Sequence, residues 1–243
     1  MMAEETGIGL VVFDCDGTLV DSAGEITDTM GDCFVAAGLA APALADVSRI
    51  IGLSLPVAIG RLLPDLGEAD CMMLADGYRT AYRRRLAAGQ MGDERLFDGV
   101  DAVLRRLDRA GYLLGMATGK SIRGVERTVA QFGFERMFVT IQTADTHPSK
   151  PHPAMMLAAM AETGAAPARS VLIGDTSYDM EMARAAGARA IGVAWGCHAP
   201  EELIAAGAEH VVENAAALDA AILALIGAPP AMAIETIERR IGA

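Results

Sequence analysis

Short apolar runs that alternate with helical patterns constrain the fold of this chain most strongly. Each run is nearly continuous, as expected for strands that are buried on both faces of a parallel sheet. Strand alternating with helix predicts a doubly wound α/β sheet. The apolar runs cover residues 8–13, 112–117, 137–141, 170–173, 190–194 and 210–212, and the helical patterns cover residues 99–110, 121–132, 152–163, 178–186, 200–206 and 214–226.

Residues 22–90 interrupt this alternation. They show helical periodicity without a clear buried-strand run, and prolines and glycines punctuate them. We therefore expect a helical cap, inserted after the first strand and placed over its carboxyl end, where open α/β sheets bind ligands. The prediction is a doubly wound, Rossmann-like parallel sheet core of residues 1–20 and 92–227, an inserted helical cap subdomain of residues 21–91 and a C-terminal tail of residues 228–243.

Composition and charge argue against several classes of protein. The 243 residues carry a formal net charge of −12, and an acidic surface repels nucleic acids and anionic lipids. The chain contains no apolar run of the roughly 18 residues that a membrane span needs, and no signal-peptide pattern. The four cysteines form no CxxC pair, which argues against a zinc site and fits reduced thiols. We expect a cytoplasmic protein, monomeric or homodimeric, with no nucleic-acid or membrane partner.

Two carboxylates follow the first predicted strand. Asp14 and Asp16 come directly after the apolar run, and Gly17 then lets the backbone turn sharply or approach a ligand. Carboxylates at the end of a buried strand are costly unless they serve a function. One of them can attack a phosphoryl group to give an aspartyl-phosphate while the other exchanges protons. The alternative is an Asp-Gly turn that closes the strand, and this motif alone does not decide between them.

A second acidic group follows the apolar run at 170–173. The sequence there is GDTSYD, with Asp175 and Asp179 as its acidic residues. Carboxylates at two strand ends favour a hard cation with oxygen ligands, for which Mg²⁺ is the default. Such a cation would also screen a phosphate dianion from the aspartates. The alternative is helix capping by Asp175 or Thr176.

A phosphate cradle is predicted where the run at 112–117 ends. Thr118 offers a hydroxyl and Gly119 a backbone N–H group, both just before a helix. The alternative is a plain helix cap by Thr118 or Ser121. The stretch also comes close to a P-loop, but Gly115 and Gly119 are one residue too close for that motif.

Lys150 is a further candidate. It lies between prolines, just ahead of a predicted helix, so its backbone setting is rigid. Its ammonium group can neutralise a nucleophile and the oxygens of a transferring phosphoryl group. The alternative is an exposed loop lysine, the commonest environment of this residue type.

These four features, in this order, resemble the haloacid dehalogenase superfamily of hydrolases. The resemblance rests on DxDGT at residues 14–18, a strand-terminal Thr118, Lys150 ahead of a helix and GDxxxD at residues 174–179. Asp21-Ser22 and the FDGV sequence at residues 97–100 are similar to the phosphoglycolate phosphatase-like branch, whose members carry a helical cap.

The resemblance implies roles for the four aspartates. Asp14 would be the nucleophile and a ligand of Mg²⁺. Asp16 would protonate the leaving alkoxide, then activate water, and would offer its backbone carbonyl to the metal. Asp175 would be the second side-chain ligand, and Asp179 would support it directly or through water.

The resemblance also implies residues that bind the phosphate. Thr118 and the Gly119 N–H would hold the phosphoryl group, and Lys150 would stabilise charge on the phosphate and on Asp14. Arg49 resembles a residue of a cap loop that faces the site in relatives. The alternative for Arg49 is a surface arginine on the cap.

The function that follows is hydrolysis of a small-molecule phosphate monoester, of phosphoglycolate or sugar-phosphate type. A phosphomutase would share the nucleophile, although Thr18 favours hydrolysis modestly. A dehalogenase is disfavoured because that branch typically lacks the second acid, here Asp16. A non-catalytic phosphate-binding protein on the same fold is the remaining alternative.

Overall fold

The computed structural model describes residues 7–229, and its strands form a single parallel sheet. The six strands are β1 (Leu10–Phe13), β2 (Leu113–Thr118), β3 (Phe138–Thr143), β4 (Ser170–Gly174), β5 (Arg189–Val193) and β6 (His210–Val212). Their order in the sheet is β3-β2-β1-β4-β5-β6, and every neighbouring pair is parallel. The doubly wound α/β sheet predicted from the apolar runs is confirmed.

The central strand β1 explains why such runs are apolar at every position. Val11 and Phe13 point into a hydrophobic cluster on one face of the sheet, whereas Leu10 and Val12 point into a second cluster on the other. All four residues are at most 1% exposed. Successive side chains of a strand alternate between faces, so a strand covered on both sides needs apolar residues throughout.

Helices cover both faces of the sheet and form the insertion after β1. The described residues contain α1 (Ala23–Ala36), α2 (Leu44–Ser48), α3 (Leu55–Leu62), α4 (Glu68–Ala87), α5 (Val100–Ala110), α6 (Ile122–Phe132), α7 (Ala154–Thr163), α8 (Ser177–Ala185), α9 (Pro200–Ala206) and α10 (Leu218–Ile226). Helices α5, α6 and α10 pack on the face that contains Val11 and Phe13, and α7, α8 and α9 pack on the opposite face.

The first four helices lie between β1 and α5, and we call them the cap helices. They pack around a hydrophobic cluster of their own, which includes Met30, Phe34, Ile59 and Leu74. Helical structure was predicted for this part of the chain, whereas the predicted cap boundaries at residues 21 and 91 stay a prediction.

The two ends of this insertion lie side by side. Val20 forms an antiparallel bridge with Leu96. Beside it, the Asp21 N–H donates to the Arg95 carbonyl over 2.9 Å, and the Phe97 N–H donates to the Leu19 carbonyl over 3.1 Å. The chain therefore leaves the core and returns to it at one place.

The structure differs from the sequence expectation at the last helix. The pattern at 214–226 predicts one helix, but Ala215–Ala217 form a 3₁₀ turn before α10 begins. Short 3₁₀ segments are common at helix N-termini, and apolar periodicity does not distinguish them. Residues 230–243, which make up most of the predicted tail, lie outside the described residues. Within residues 7–229, no helix combines the length and apolar character needed to cross a membrane.

Candidate active site

The carboxyl ends of β1 and β4 meet in the middle of the sheet, and an aspartate follows each of them. Asp14 follows β1, and its backbone N–H donates to the Ile173 carbonyl of β4 over 2.9 Å. Asp175 follows Gly174, the last residue of β4. The order of the strands reverses around β1, which is where open α/β sheets bind ligands. The topology therefore brings together two site residues predicted from separate motifs.

Three buried carboxylates form a cluster at this edge of the sheet. Asp14, Asp175 and Asp179 are each 0% exposed. One carboxylate oxygen from each lies within 4.8 Å of the others, and Asp179 is contributed by the first turn of α8. Carboxylate oxygens are the ligands that a hard cation such as Mg²⁺ prefers.

Hydrogen bonds fix the two carboxylates that come from the GDTSYD segment. Asp175 Oδ1 accepts from the Thr18 hydroxyl over 2.7 Å, and its Oδ2 accepts from the Cys197 N–H over 2.8 Å. Asp179 Oδ2 accepts from the N–H and the hydroxyl of Thr176, over 3.1 and 2.7 Å. Such bonds orient potential ligands before a cation binds. Thr18 thus links the first acidic motif to the second.

Lys150 is buried in the same cluster. Its Nζ lies 2.8 Å from Asp14 Oδ1 and 2.7 Å from Asp179 Oδ1. Asp14 Oδ1 also accepts from the Cys15 N–H over 2.7 Å. Asp14 Oδ2, in contrast, is buried and has no hydrogen-bond partner among the described residues. An orphaned carboxylate oxygen is costly, and a cation bound beside Asp14 Oδ2 would remove that cost.

The cluster carries more negative than positive charge. Burial raises the pKa of Asp14 to about 8, because the attraction of Lys150 does not offset burial and the charges of Asp179 and Asp175. Burial and the charge of Asp179 raise the pKa of Asp175 to about 6. Burial lowers the pKa of Lys150, but Asp14 and Asp179 more than reverse this effect and raise it. A divalent cation would supply the missing positive charge, so the residues fit Mg²⁺.

Three glycines make room for the cluster. A Cβ atom at Gly17 would lie 2.2 Å from Asp175 Oδ2, and one at Gly196 would lie 2.1 Å from Asp175 Cβ. A Cβ atom at Gly174 would lie 2.3 Å from Asp179 Cγ. Gly17 also has a φ of +84°, which side chains disfavour. The packing therefore requires glycine at these positions beside the aspartates.

Asp16 lies beside the cluster rather than in it. Its Oδ1 accepts from the Ser22 hydroxyl over 2.7 Å and from Lys120 Nζ over 2.9 Å. The residue is 8% exposed and lines the cavity between the cap helices and the core. Its side chain thus borders this cavity. The predicted metal contact of its backbone carbonyl stays a prediction.

Thr118 and Gly119 stand at the carboxyl end of β2, next to β1. Thr118 is 1% exposed, and its Oγ1 accepts from the Lys120 N–H over 3.2 Å. A Cβ atom at Gly119 would lie 2.7 Å from the Gly52 carbonyl oxygen and 2.5 Å from that of Leu53. Gly119 therefore lets a cap segment approach the backbone of β2 closely. We call this segment, residues 49–54, the cap loop.

The cap loop lies over the candidate site. A Cβ atom at Gly52 would be 3.6 Å from Asp14 Oδ2, and the Ser54 N–H donates to the Ser149 hydroxyl over 2.8 Å. Gly52 has a φ of +91°. A cavity of about 1060 Å³ extends from Asp16 and Gly119 between the cap helices and the core. A leaving group bound in this cavity would contact residues of the cap helices and of the core.

Arg49, predicted to bind phosphate, is directed away from the acidic cluster. Its side chain is 57% exposed, and its Nη1 donates to Glu202 Oε2 over 2.8 Å. Its backbone carbonyl accepts from the Tyr178 hydroxyl over 2.8 Å. The backbone of the cap loop is therefore held at the site while the guanidinium group turns outward. This arrangement matches the surface alternative rather than the phosphate-binding role.

Sequence reasoning missed several residues that contact the site. Lys120 is one of them, and its place two residues after Thr118 is the signal that could have found it. Glu94 contacts Lys120 from outside the expected motifs, whereas Tyr178 lies within the GDTSYD segment and contacts the cap loop. Their contacts span 26 and 129 residues of sequence, and no local pattern reports such pairings.

Comparisons with known proteins agree with this geometry. The family model described as haloacid dehalogenase-like hydrolase matches residues 11–193. Probable phosphatase IndB of Dickeya dadantii is 34% identical over 208 residues, which cover 84% of this chain and 89% of the relative. Phosphoglycolate phosphatase of Agrobacterium fabrum is 30% identical over 218 residues, which cover 88% and 91%.

Two further matches broaden the comparison. Tyrosine-protein kinase PtkA of Mycobacterium tuberculosis is 32% identical over 211 residues, which cover 86% of this chain and 70% of PtkA. The crystal structure of a "predicted phosphatase" from Clostridium acetobutylicum superposes with a TM-score of 0.81 at 27% identity, covering 90% of this chain and 99% of that one. The chain belongs to the haloacid dehalogenase-like hydrolase family.

Proposed function

We propose that this phosphatase cleaves a small-molecule phosphate monoester through an aspartyl-phosphate formed on Asp14, with Mg²⁺ as its cofactor. One observation carries the proposal: Asp14 is fully buried beside Lys150, Asp175 and Asp179, yet its Oδ2 has no hydrogen-bond partner among the described residues. A purely structural aspartate at a strand end would have both oxygens hydrogen-bonded or solvated.

Asp14, Asp175 and Asp179 would hold the cation, since their oxygens converge and carry uncompensated negative charge. Bound Mg²⁺ would screen the phosphate dianion from the aspartates and stabilise charge on its oxygens. Lys150 would share the second task, because its buried ammonium group already touches Asp14. Thr118 and the N–H of Gly119 would orient the phosphoryl group from the β2 side.

In the first half-reaction, a carboxylate oxygen of Asp14 attacks phosphorus. The bond from phosphorus to the leaving oxygen breaks, and that oxygen keeps the electron pair. The carboxylic acid of Asp16 gives its proton to the same oxygen, so the product leaves as an alcohol. Asp16 ends as a carboxylate, and Asp14 carries the phosphoryl group.

In the second half-reaction, the Asp16 carboxylate takes a proton from a water molecule. The water oxygen attacks phosphorus, and the bond to Asp14 breaks with its electrons returning to the carboxylate. Inorganic phosphate leaves, Asp14 is regenerated and Asp16 is again protonated. The cap loop over Asp14 would exclude other water from the first step.

The substrate class is proposed on chemical grounds and on one relative. The Agrobacterium fabrum relative is named a phosphoglycolate phosphatase, and a phosphoglycolate or sugar-phosphate type of ester would fit the same chemistry. The cavity of about 1060 Å³ admits leaving groups larger than glycolate. Substrate specificity would then depend on the cap side chains that line it.

Replacing Asp14 with Asn tests the covalent mechanism. Asp14→Asn keeps the size of the side chain but removes the nucleophilic carboxylate, so Mg²⁺-dependent release of phosphate from p-nitrophenyl phosphate should fall to background. Acid quenching of the wild-type enzyme during turnover should trap one phosphoryl group on the peptide that contains Asp14, detectable by mass spectrometry. The exposed Asp108→Asn is the matched control and should keep full activity.

Two results would contradict the mechanism. One is an Asp14→Asn variant that retains substantial turnover while folded, and the other is a trapped phosphoryl group on a different residue. Addition of EDTA should abolish wild-type turnover, and Mg²⁺ in excess should restore it. Interconversion of sugar phosphates faster than phosphate release would instead indicate the phosphomutase alternative.

A further inference from the structure

A buried ionic network lies beside Asp16, and no step of the proposed reaction uses it. Glu94 is at its centre, with a side chain only 2% exposed. Its Oε1 accepts from Lys120 Nζ over 2.8 Å and from Arg127 Nη2 over 3.2 Å. Its Oε2 accepts from the Thr128 hydroxyl over 2.5 Å. A buried carboxylate is costly. The number of hydrogen-bond partners around Glu94 therefore suggests that the network has a function.

Glu94 is also fixed through its backbone. Its N–H donates to Gln131 Oε1 over 3.2 Å, and its carbonyl accepts from Gln131 Nε2 over 2.7 Å. Arg127, Thr128 and Gln131 all lie on α6. One helix therefore holds both the backbone and the side chain of Glu94, and the carboxylate has little freedom to move.

Lys120 connects this rigid acid to Asp16. Its Nζ lies 2.8 Å from Glu94 Oε1 and 2.9 Å from Asp16 Oδ1, and its side chain is 12% exposed. The Ser22 hydroxyl donates to the same Asp16 oxygen over 2.7 Å. Within residues 7–229, the hydrogen bonds to the Asp16 side chain thus converge on Oδ1 alone.

We propose that Lys120, held by Glu94, is a positioning residue for Asp16. Together with Ser22, it binds Oδ1 and so leaves Oδ2 as the oxygen that gives a proton to the leaving group and takes one from water. Glu94 keeps the flexible lysine side chain in place and balances its charge. This inference rests on the proposed function, since it assigns Asp16 as the general acid and base.

The arrangement has a geometric logic. A carboxyl group that rotates freely presents either oxygen to the leaving group, whereas proton transfer requires a donor held within hydrogen-bond reach. Two donors on Oδ1 fix the plane of the Asp16 carboxyl group. An ammonium group on a four-carbon stem holds this position only when its other hydrogens are also bound, and Glu94 supplies that second contact.

Leaving-group dependence tests this role. Rates of enzyme phosphorylation are measured in single turnovers with phenyl phosphate and with p-nitrophenyl phosphate. Nitrophenolate leaves readily without being protonated. Phenolate is more basic, so its departure depends more strongly on a proton donor. We expect Lys120→Met to slow phosphorylation by phenyl phosphate about 10²-fold but by p-nitrophenyl phosphate less than about 5-fold, because only the first depends strongly on Asp16.

Two further variants separate positioning from folding. Lys120→Arg keeps a cationic donor and should recover part of the lost rate with phenyl phosphate. Lys120→Met removes the ammonium partner of Glu94 and should lower the Tm. The double variant Glu94→Gln/Lys120→Met removes both charges, so it should restore the Tm but not the rate with phenyl phosphate. The exposed Arg136→Met is the control and should behave as wild type.

Failure of this inference differs from failure of the proposed function. If the wild-type enzyme forms no phosphoenzyme from either ester, the proposed function is wrong. If the wild-type enzyme is active and Lys120→Met slows both esters by the same factor, Lys120 does not position the proton donor and the inference is overturned.

Discussion

At the scale of single residues, the two oxygens of Asp14 have different surroundings. Oδ1 is bound by Lys150 and by a backbone N–H, and Oδ2 is buried without a partner among the described residues. Burial raises the pKa of this carboxyl group to about 8, because the attraction of Lys150 offsets only part of the effect. A charged Asp14 that is kept away from water therefore destabilises the fold when no cation is bound.

Metal-free protein should therefore lose stability as the pH rises from about 6.5 to about 8. Folded Asp14 keeps its proton up to a pKa of about 8, whereas the unfolded chain, with a pKa of 3.8, has already released it. The unfolded state thus binds fewer protons, and the free energy of unfolding falls by about 1–2 kcal/mol over this range. The pKa of His198 is lowered from 6.5 by burial, so its opposite contribution offsets at most about 0.4 kcal/mol of this loss between pH 6.5 and 8.

Thermal unfolding in EDTA at both pH values measures this effect. Asp14→Asn should show a smaller change, because the amide does not titrate. Mg²⁺ should raise the Tm of the wild-type protein more at pH 8 than at pH 6.5, since fewer protons compete for the carboxylates. If the Tm of the wild-type protein in EDTA changes between the two pH values by the same amount as the Tm of Asp14→Asn, the pH dependence does not come from Asp14.

Sequence alone predicted the aspartate pair for a clear physical reason. Asp14 and Asp175 follow buried strands, and the carboxyl ends of neighbouring parallel strands meet at one edge. Glu94 was out of reach because it follows no apolar run and its partners lie on α6. The outward direction of Arg49 was equally hidden, because it depends on Glu202, 153 residues away.

At the scale of elements, the cap loop and the end of β2 are in backbone contact. The carbonyl groups of Gly52 and Leu53 lie where a side chain of residue 119 would begin. Besides the phosphate contact proposed for its N–H group, glycine at position 119 sets how near the cap loop comes to Asp14. The sequence predicted the glycine as a phosphate ligand but did not predict this packing.

Gly119→Ala should displace the cap loop. The new Cβ atom would lie 2.5 Å from a carbonyl oxygen of the cap loop, and a backbone group cannot rotate away as a flexible side chain can. We expect kcat/KM for p-nitrophenyl phosphate to fall at least about 10-fold, as misplacement near a reacting centre typically does. Steady-state kinetics and circular dichroism measure the loss and check the fold.

Gly24→Ala is the matched control for this substitution. A Cβ atom at Gly24 would meet no atom within 4 Å, and alanine is the better helix former in α1. Its kcat/KM should equal that of the wild type and its Tm should not decrease. Wild-type kcat/KM in Gly119→Ala would mean that the cap loop tolerates the displacement and does not position the reaction.

At the scale of the whole molecule, Tyr178 joins the core to the cap helices. It belongs to the GDTSYD segment, yet the residue is only 8% exposed and packs in the hydrophobic cluster of the cap helices. Its hydroxyl donates to the Arg49 carbonyl over 2.8 Å and accepts from Arg61 Nη1 over 2.7 Å. The segment that supplies Asp175 and Asp179 is thereby in contact with the cap.

Tyr178→Ala should destabilise the protein by about 3–5 kcal/mol, as the loss of a buried aromatic ring usually does. Tyr178→Phe keeps the ring and should cost only about 1–2 kcal/mol from the lost hydrogen bonds. Arg49→Ala is the comparison, because its pair with Glu202 is exposed and should contribute less than about 1 kcal/mol. Urea unfolding gives all three values, and equal effects of Tyr178→Ala and Arg49→Ala would refute the anchoring role.

The overall architecture was the part most accessible from sequence. Continuous apolar runs identify doubly covered strands because each residue of β1 faces a core. The split of the last helix into a 3₁₀ turn and α10 was not accessible, since the alanines at 215–217 suit both conformations. How the cap helices meet the core was also hidden, because those contacts join residues that are distant in sequence.

The bridge between Val20 and Leu96 has a consequence for how such a molecule can diversify. The polypeptide leaves the core at Val20 and returns to it at Leu96, and these two residues are in contact. The residues between them therefore form one closed insertion in the core. A segment of another length joined at these positions would keep the order of the strands unchanged. Under the proposed function, cap residues line the leaving-group cavity while Asp14 and Asp175 lie on the core, so exchanging the inserted piece would change which leaving groups bind.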